Sequence, residues 1–304
     1  MEEEKKALFQ RIQEFKRLRN AVILAHNYQS EEVQDAADFV GDSFELSRIA
    51  AQSGADVIVF CGVYFMAEVA AILAPDKIVL LPEILAGCPL ADMITSETLR
   101  EKKKQHPAAT VVTYINSPAV VKADSDICVT SSNAVSVVNS LEAEEVLFVP
   151  DMNLGSFVAG QTDKRVILWD GYCVTHHRVS PDDVAAARAS HPDAVVMVHP
   201  ECRPDVVKTA DYVFSTGGMI KFARETEHKK IIVGTEMGLI YRLQKENPDK
   251  QFYLLAQGLI CPNMKFTNLE KVYKALETLQ PRIIVPQPIR DLARIPLERM
   301  LVAV

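Results

Sequence analysis

The chain has 304 residues, a length that suits two or three domains rather than one small core. Its 33 basic and 40 acidic residues give a formal net charge of −7, which disfavours a nucleic acid as partner. Its apolar runs fall well short of the roughly 20 residues that a membrane span needs, and the charged N-terminus lacks a signal core, so we expect a cytoplasmic protein with no membrane partner.

The first 88 residues alternate between helix and strand patterns. Apolar residues at helical spacing predict an amphipathic helix over 4–19. Short apolar runs predict strands at 21–25, 56–60 and 77–81, with helices at about 43–53 and 64–74. The last of these strands leads through a glycine turn to Cys88.

The same pattern then returns twice. Strands are predicted at 110–114, 146–149 and 166–169, and again at 194–198, 231–233 and 251–255. The last strand of each copy leads to Cys173 and to Cys261, which continues a period of about 85 to 88 residues that begins at Cys88. An Ala-Asp pair after the first strand of each copy marks the same period, at Asp38, Asp124 and Asp211.

We interpret this repetition as three homologous domains. Because strand and helix alternate, each copy is expected to form an α/β unit, a three-layer αβα sandwich, with the three arranged around a pseudo-threefold axis. The predicted boundaries are 1–88, 89–174 and 175–266, with a last helix at 267–279 and a tail to residue 304 that covers the first domain. The alternative is one eight-stranded barrel, whose eight units do not divide into three equal copies.

Three of the six cysteines lie in loops just past a strand end, where open α/β sheets bind ligands. Cytoplasmic cysteines favour metal binding or catalysis over disulfides, and the absence of a Cys-x-x-Cys pair disfavours a zinc ribbon. Cys88, Cys173 and Cys261 are therefore predicted to hold a [4Fe–4S] cluster by three irons, leaving the fourth iron open as a Lewis acid.

The other three cysteines have no counterparts in the repeat. A lone cysteine is more often an inert core residue than a ligand, and this is the prediction for Cys61 and Cys128. For Cys202 both assignments, core residue and functional-site residue, remain open because it lies next to His199 and Glu201.

Polar side chains follow the first strand of each copy, and hydroxyls stand at the predicted helix starts. The first group comprises His26, Tyr28, Tyr114, Asn116, His199 and Glu201. The second comprises Ser43, Ser131, Ser215 and Thr216, which as N-caps are worth about 1 kcal/mol each. Three helix N-termini aimed at one axis would also attract anions, so we expect small substrates that carry carboxylate and phosphate groups. Asp42 and Asp170 are interpreted as loop-structuring residues.

Taken together, these segments resemble the quinolinate synthases, the iron–sulfur enzymes of de novo NAD biosynthesis. The matching motifs are His26-Asn27-Tyr28, Gly41-Asp42-Ser43, Tyr114-Ile115-Asn116, Thr130-Ser131-Ser132-Asn133-Ala134, His199-Pro200-Glu201-Cys202, Ser215-Thr216-Gly217-Gly218-Met219 and Cys261-Pro262-Asn263-Met264. They span nearly the whole chain, and no dinucleotide-binding fingerprint or P-loop competes with them.

The resemblance implies a reaction, a cofactor and a substrate site. Iminoaspartate and dihydroxyacetone phosphate would condense to quinolinate, phosphate and two waters, with a functional link to an enzyme that produces iminoaspartate. The family's cluster cysteines correspond to Cys88, Cys173 and Cys261. Its iminoaspartate-binding positions correspond to His26, Ser43, Tyr114, Ile115, Asn116, Ser131, His199, Pro200, Glu201 and Thr216.

Catalytic roles are expected for four of these side chains. Glu201 and His199 are adjacent in one loop and suit general acid–base work, and Tyr28 would pass protons to the triose carbons, with His26 beside it. Two alternatives remain open at this stage. One is a radical iron–sulfur enzyme of the diphthamide-synthesis type, which would need a site for S-adenosylmethionine. The other is a cluster-bearing redox sensor, which would usually carry a partner module.

Overall fold

A computed structural model describes residues 2–303, and within them twelve strands form three sheets. The strands of the first sheet are β1 (Ala21–His26), β2 (Phe39–Gly41), β3 (Val57–Cys61) and β4 (Ile78–Leu80). Those of the second are β5 (Thr110–Tyr114), β6 (Ile127–Val129), β7 (Glu145–Val149) and β8 (Arg165–Leu168). Those of the third are β9 (Val195–Val198), β10 (Tyr212–Val213), β11 (Lys230–Gly234) and β12 (Gln251–Leu254).

Helices flank these sheets throughout the described chain. In the first third they are α1 (Glu2–Leu18), α2 (Glu31–Ala36), α3 (Ser43–Gln52) and α4 (Tyr64–Leu73). In the middle they are α5 (Ser96–Gln105), α6 (Ala119–Ala123), α7 (Ala134–Ser140), α8 (Met152–Ala159) and α9 (Val174–His177). The remainder are α10 (Pro181–Ser190), α11 (Pro204–Val207), α12 (Thr216–Glu225), α13 (Gly238–Glu246), α14 (Leu269–Thr278) and α15 (Gln287–Val302).

The three sheets share one topology. The strand order is β2-β1-β3-β4 in the first sheet, β6-β5-β7-β8 in the second and β10-β9-β11-β12 in the third, and every pairing is parallel. The prediction of three similar α/β sandwich domains is confirmed, and a single barrel is excluded. Each sheet takes all its strands from one predicted segment, whereas the exact boundaries of the segments stay a prediction. The strands β2, β6 and β10 were not predicted, because runs of two or three residues carry no periodic signal.

A repeated hydrogen bond shows which aspartates are equivalent. The carboxylates of Asp38, Asp126 and Asp211 accept from the backbone N–H near the start of the central strand, at 2.8, 2.8 and 2.7 Å respectively. The Ala-Asp landmark at Asp124 is therefore not the structural equivalent of Asp38 and Asp211, a place that Asp126 takes in the second domain. Asp124 lies two residues too early to reach the strand, and its carboxylate instead accepts from Arg100.

The seams between the domains differ in character. Residues of the first and second sheets share one hydrophobic cluster, to which the third domain adds Met264, whereas the two other clusters of the third domain contain residues of that domain alone. The third domain contacts the first through polar groups, where Arg242 donates to Asn27 Oδ1 at 2.8 Å and to the Val40 carbonyl at 2.6 Å.

The C-terminal helices cover more than was expected. Helix α14 packs on α1 and β3 of the first domain. Helix α15 contacts α4 but also α6 and β6 of the second domain, because Ala293, Leu297 and Met300 form a buried face at helical spacing. Among residues 2–303, no helix has both the length and the apolar character needed to cross a membrane.

Candidate active site

Loops from all three domains enclose one cavity with an empty volume of about 680 Å³, mouth included. Twelve of the fourteen side chains that the sequence nominated for binding, catalysis or metal ligation line it: His26, Tyr28, Ser43, Cys88, Tyr114, Asn116, Ser131, Cys173, His199, Glu201, Thr216 and Cys261. Ile115 and Pro200 are buried next to lining residues and do not face the cavity. The volume and the mixed polar lining suit a small-molecule site.

The six cysteines divide into two groups. Cys88, Cys173 and Cys261 follow β4, β8 and β12, remain partly exposed and line the cavity. The other three, Cys61, Cys128 and Cys202, are fully buried in hydrophobic clusters and do not line it. The prediction that Cys61 and Cys128 are core residues is confirmed. Cys202 is a core residue as well, since it belongs to a hydrophobic cluster of the third domain, where its Sγ lies 3.6 Å from the Gly234 carbonyl.

The cavity thiols are chemically suited to a cationic partner. Burial, with a smaller contribution from Cys261, raises the pKa of Cys88 to about 12. Burial and the charge of Glu201 raise the pKa of Cys173 well above its ordinary value. A bound metal displaces such protons and stabilises the thiolates, so these cysteines ionise when a metal is present.

Glu201 is the buried acid at the centre of the site. Its Oε2 lies 3.0 Å from His176 Nδ1 and 3.2 Å from His199 Nδ1. Although burial opposes ionisation, the hydrogen bonds from the two imidazoles prevail and lower the pKa of Glu201. Burial lowers the pKa of His199, so its imidazole is neutral, and its Nδ1 lies within hydrogen-bonding distance of both the carboxylate and the backbone N–H of Glu201.

A chain of hydrogen bonds extends from Glu201 across the cavity. His176 Nε2 lies 2.9 Å from Thr235 Oγ1, and Thr235 Oγ1 lies 2.6 Å from the Tyr28 hydroxyl. In the other direction, His199 Nε2 lies 3.2 Å from Ser131 Oγ. The network therefore joins residues of all three domains.

Sequence reasoning missed two members of this network. His176 stands three residues after Cys173, on the same turn of α9, and its Nδ1 lies 3.2 Å from the Cys173 Sγ. That spacing was an available signal. Thr235 follows β11 directly and had none, because its role arises from contacts with Tyr28 and His176, which are far away in sequence.

His26 is held neutral beside the network. Burial, followed by the proximity of His199, lowers the pKa of His26 to about 3. Its Nδ1 accepts from the Tyr28 backbone N–H at 3.2 Å, which leaves the proton on Nε2. Burial, together with the charge of Glu201, raises the pKa of Tyr28 well above its ordinary value, so the phenol also stays protonated.

The helix starts around the cavity differ from the prediction in two places. Asp42, rather than Ser43, caps α3 by accepting from the N–H groups of Phe44 and Glu45. Ser131 lies in the turn before α7, a helix of seven residues that starts at Ala134. Ser215 caps α12 as predicted, and Thr216 is the first residue of that helix. The interpretation as loop-structuring is confirmed for Asp42.

The cavity has features of a site for an anionic ligand. The N-termini of α3 and α12 both open onto it, through Ser43 and Thr216. Among residues 2–303, its lining includes no lysine or arginine and contains the carboxyl groups of Asp42, Glu201 and Glu236, so these helix ends, with neutral hydrogen-bond donors, would have to hold the anion. Asn116 Oδ1 and Glu201 Oε1 are buried there without any hydrogen-bond partner in the described structure, a condition that costs about 1–3 kcal/mol unless a ligand satisfies it.

One group of side chains could hold a metal directly. The donor atoms of Cys173, His176 and Glu201 lie within 4.8 Å of one another. A thiolate, an imidazole and a carboxylate suit a transition metal, and the thiols of Cys88 and Cys261 line the same cavity.

Comparison with known proteins gives one consistent result. The family model described as quinolinate synthetase A protein matches residues 10–302. Quinolinate synthase of Geobacter metallireducens is 56% identical over 292 residues, which cover 95% of this chain and 96% of the relative. Quinolinate synthase of Methanosarcina barkeri is 54% identical over 294 residues, with 97% of each chain covered. That of Caldicellulosiruptor saccharolyticus is 54% identical over 291 residues, with 95% and 96% covered.

Proposed function

The chain belongs to the quinolinate synthetase A protein family, and on this premise we propose that it condenses iminoaspartate with dihydroxyacetone phosphate to quinolinate, phosphate and two waters. The observation that carries the proposal is the convergence of three partly exposed thiols, one from each domain, on a single cavity. The same cavity presents hydrogen-bonding groups for anionic substrates and an ionised buried acid.

Cys88, Cys173 and Cys261 would hold a [4Fe–4S] cluster, as three ligands that leave one iron without a protein thiolate. When bound, such a cluster supplies an open Lewis acid that assists the departure of a substrate hydroxyl as water. The donor set supports this fit, because the three thiols face the cavity while the remaining cysteines are sealed in the core.

The substrate carboxylates would be held by neutral donors. The N-termini of α3 and α12 contribute partial positive charge beside the hydroxyls of Ser43 and Thr216. The amide of Asn116 and the hydroxyl of Ser131 line the same wall. Because Asn116 Oδ1 lacks a partner, it would accept from a substrate N–H or O–H group.

Glu201 would act as the general base of the condensation. Its Oε2 is occupied by His176 and His199, whereas its Oε1 has no partner and is the oxygen available to take a proton from a substrate carbon. Tyr28 would return protons to the triose through its hydroxyl, whose proton is held by burial. His26 would orient substrate through the N–H on Nε2, since its low pKa prevents it from acting as a cationic acid.

The direct test is anaerobic turnover with both substrates. Because an imine hydrolyses in water, iminoaspartate is generated in the assay by a coupled enzyme, and we propose the same kind of functional link for the protein itself. The expected result is one quinolinate and one phosphate per turnover, both dependent on dihydroxyacetone phosphate. Phosphate release without quinolinate would contradict the proposed reaction.

A further inference from the structure

A buried carboxylate that lines the cavity is hydrogen-bonded to the loop of one of the cavity cysteines. Glu236 is fully buried and follows the end of β11 by two residues. Its Oε1 accepts from the backbone N–H of Cys261 at 3.1 Å, and its Oε2 accepts from that of Gly238 at 2.7 Å. The ammonium of Lys265 lies 3.0 Å from Oε1 and 3.1 Å from Oε2. Both oxygens therefore accept from two donors each.

The second domain repeats this arrangement. Asp151 is fully buried and follows the end of β7 by two residues, the same offset as Glu236. Its Oδ2 accepts from the backbone N–H of Cys173 at 3.2 Å, while its Oδ1 accepts from those of Asn153 and Leu154 at 2.8 Å each. Each of these acids thus ties the loop of a cavity cysteine to the end of a central strand.

The first domain departs from the pattern. The position two residues after β3 is Val63, whose side chain has no group that can accept a hydrogen bond from the Cys88 loop. That loop is instead joined to the third domain, where Asn263 Nδ2 donates to the Gly87 carbonyl at 2.8 Å. Two of the three cysteine loops are therefore anchored by carboxylates within their own domains.

We propose that Glu236 and Asp151 are positioning residues for the cluster ligands Cys261 and Cys173, and that Glu236 also places a negative charge next to the cluster. This inference rests on the proposed function. Neither carboxylate is among the site residues that the family resemblance implied, and neither is used in the acid–base chemistry above.

The chemistry of the Glu236 anchor requires a carboxylate. An ionised carboxylate only accepts hydrogen bonds, whereas a carboxamide carries a donor on one side. In Glu236→Gln, the new NH2 group would face the N–H of Cys261 or Gly238, and the Lys265 ammonium would lose its charge partner. The Cys261 loop would loosen, and the uncompensated positive charge would make cluster reduction easier.

The experiment uses the full chain with its cluster reconstituted anaerobically. Iron release to a chelator and the cluster's midpoint potential are measured for wild type, Glu236→Gln, Glu236→Asp and Asp151→Asn. The matched control is Asp42→Asn, because Asp42 is a buried carboxylate at the same cavity that accepts from two backbone N–H groups but contacts no cysteine loop.

We expect Glu236→Gln to release iron at least tenfold faster than wild type and to favour the reduced cluster about tenfold, which is about 59 mV for a one-electron couple. Glu236→Asp keeps the charge but is too short to reach the Cys261 N–H, so iron release should accelerate while the potential stays near wild type. Asp151→Asn should accelerate iron release, and Asp42→Asn should leave the rate of iron release unchanged.

Each result separates this inference from the proposed function. A variant that folds but loads no cluster supports the anchor. Circular dichroism of the apoproteins identifies any variant that fails to fold. If Glu236→Gln is such a variant, the rate of iron release from Glu236→Asp decides whether the inference holds. Wild-type iron release in both Glu236→Asp and Asp151→Asn would overturn the inference, as would an equal effect of Asp42→Asn. A wild-type protein that binds no cluster would instead refute the proposed function.

Discussion

Replacing Asp42 by asparagine should change how the stability of the protein depends on pH. Asp42 caps α3, and its Oδ1 accepts from the N–H groups of Phe44 and Glu45 at 2.9 Å each. Burial raises the pKa of this carboxyl to about 6, with a smaller contribution from Glu45. Asparagine is an equally good N-cap but does not titrate in this range.

The magnitude follows from the two ends of the titration. An ordinary aspartate has a pKa near 3.8, whereas that of Asp42 in the folded protein is about 6. At 1.36 kcal/mol for each unit of pKa, the difference corresponds to roughly 3 kcal/mol. Because the folded state binds the proton more tightly, this stability is fully present below pH 4 and is lost as the pH rises through 6. Relative to Asp42→Asn, the wild type should therefore weaken by up to roughly 3 kcal/mol between pH 4 and pH 8.

The assay is urea unfolding of the wild-type and Asp42→Asn apoproteins at pH values from 4 to 8. The two curves of unfolding midpoint against pH should diverge, with most of the divergence between pH 4 and pH 6, that is, between the pKa of the unfolded state and that of the folded state. Parallel curves across that range would refute the reasoning, because they would show that Asp42 titrates no differently in the folded and unfolded chains.

Four further substitutions test the proposed site. Glu201→Gln should keep the cluster and lower turnover about 10²–10⁴-fold, the usual loss for a general acid or base, and wild-type turnover in this variant would move the role to another residue. Ser131→Ala and Thr216→Ala should raise the KM for iminoaspartate without changing the cluster's visible spectrum; an unchanged KM in both would remove these hydroxyls from the anion site. Gly217→Ala should also raise the KM, because a Cβ on Gly217, in the first turn of α12, would lie 2.8 Å from Asp42 Oδ2. Unchanged kinetics would show that this contact relaxes freely.

The repeat pattern predicted the architecture because its signal is local. The central strands, such as β1 and β3, are buried along most or all of their length and are read directly from continuous apolar runs. Short edge strands such as β10 were not predicted, since two residues show no periodicity. The Ala-Asp landmark at Asp124 missed the structurally equivalent aspartate, Asp126, for another reason. Matching dipeptides ignores how far a carboxylate must reach to the strand.

The site was predictable only in part, because it is assembled between domains. The period alone selected Cys88, Cys173 and Cys261, and the structure places all three at one cavity. Thr235 and Glu236 carried no pattern, since their importance arises from contacts with residues of other segments and with a neighbouring loop. Local sequence describes what a strand end carries, whereas tertiary packing decides which strand ends meet.

The central claim is that three repeated cysteines hold one cluster, and anaerobic iron and sulfide analysis with visible spectroscopy tests it most directly. Wild type, Cys61→Ser and Cys128→Ser should each bind about four irons and four sulfides per chain, whereas Cys88→Ser, Cys173→Ser and Cys261→Ser should lose the cluster or bind it weakly. Air should bleach the wild-type spectrum, because a three-cysteine site leaves one iron unprotected. A stable cluster at normal iron content in anaerobic Cys173→Ser would contradict the claim.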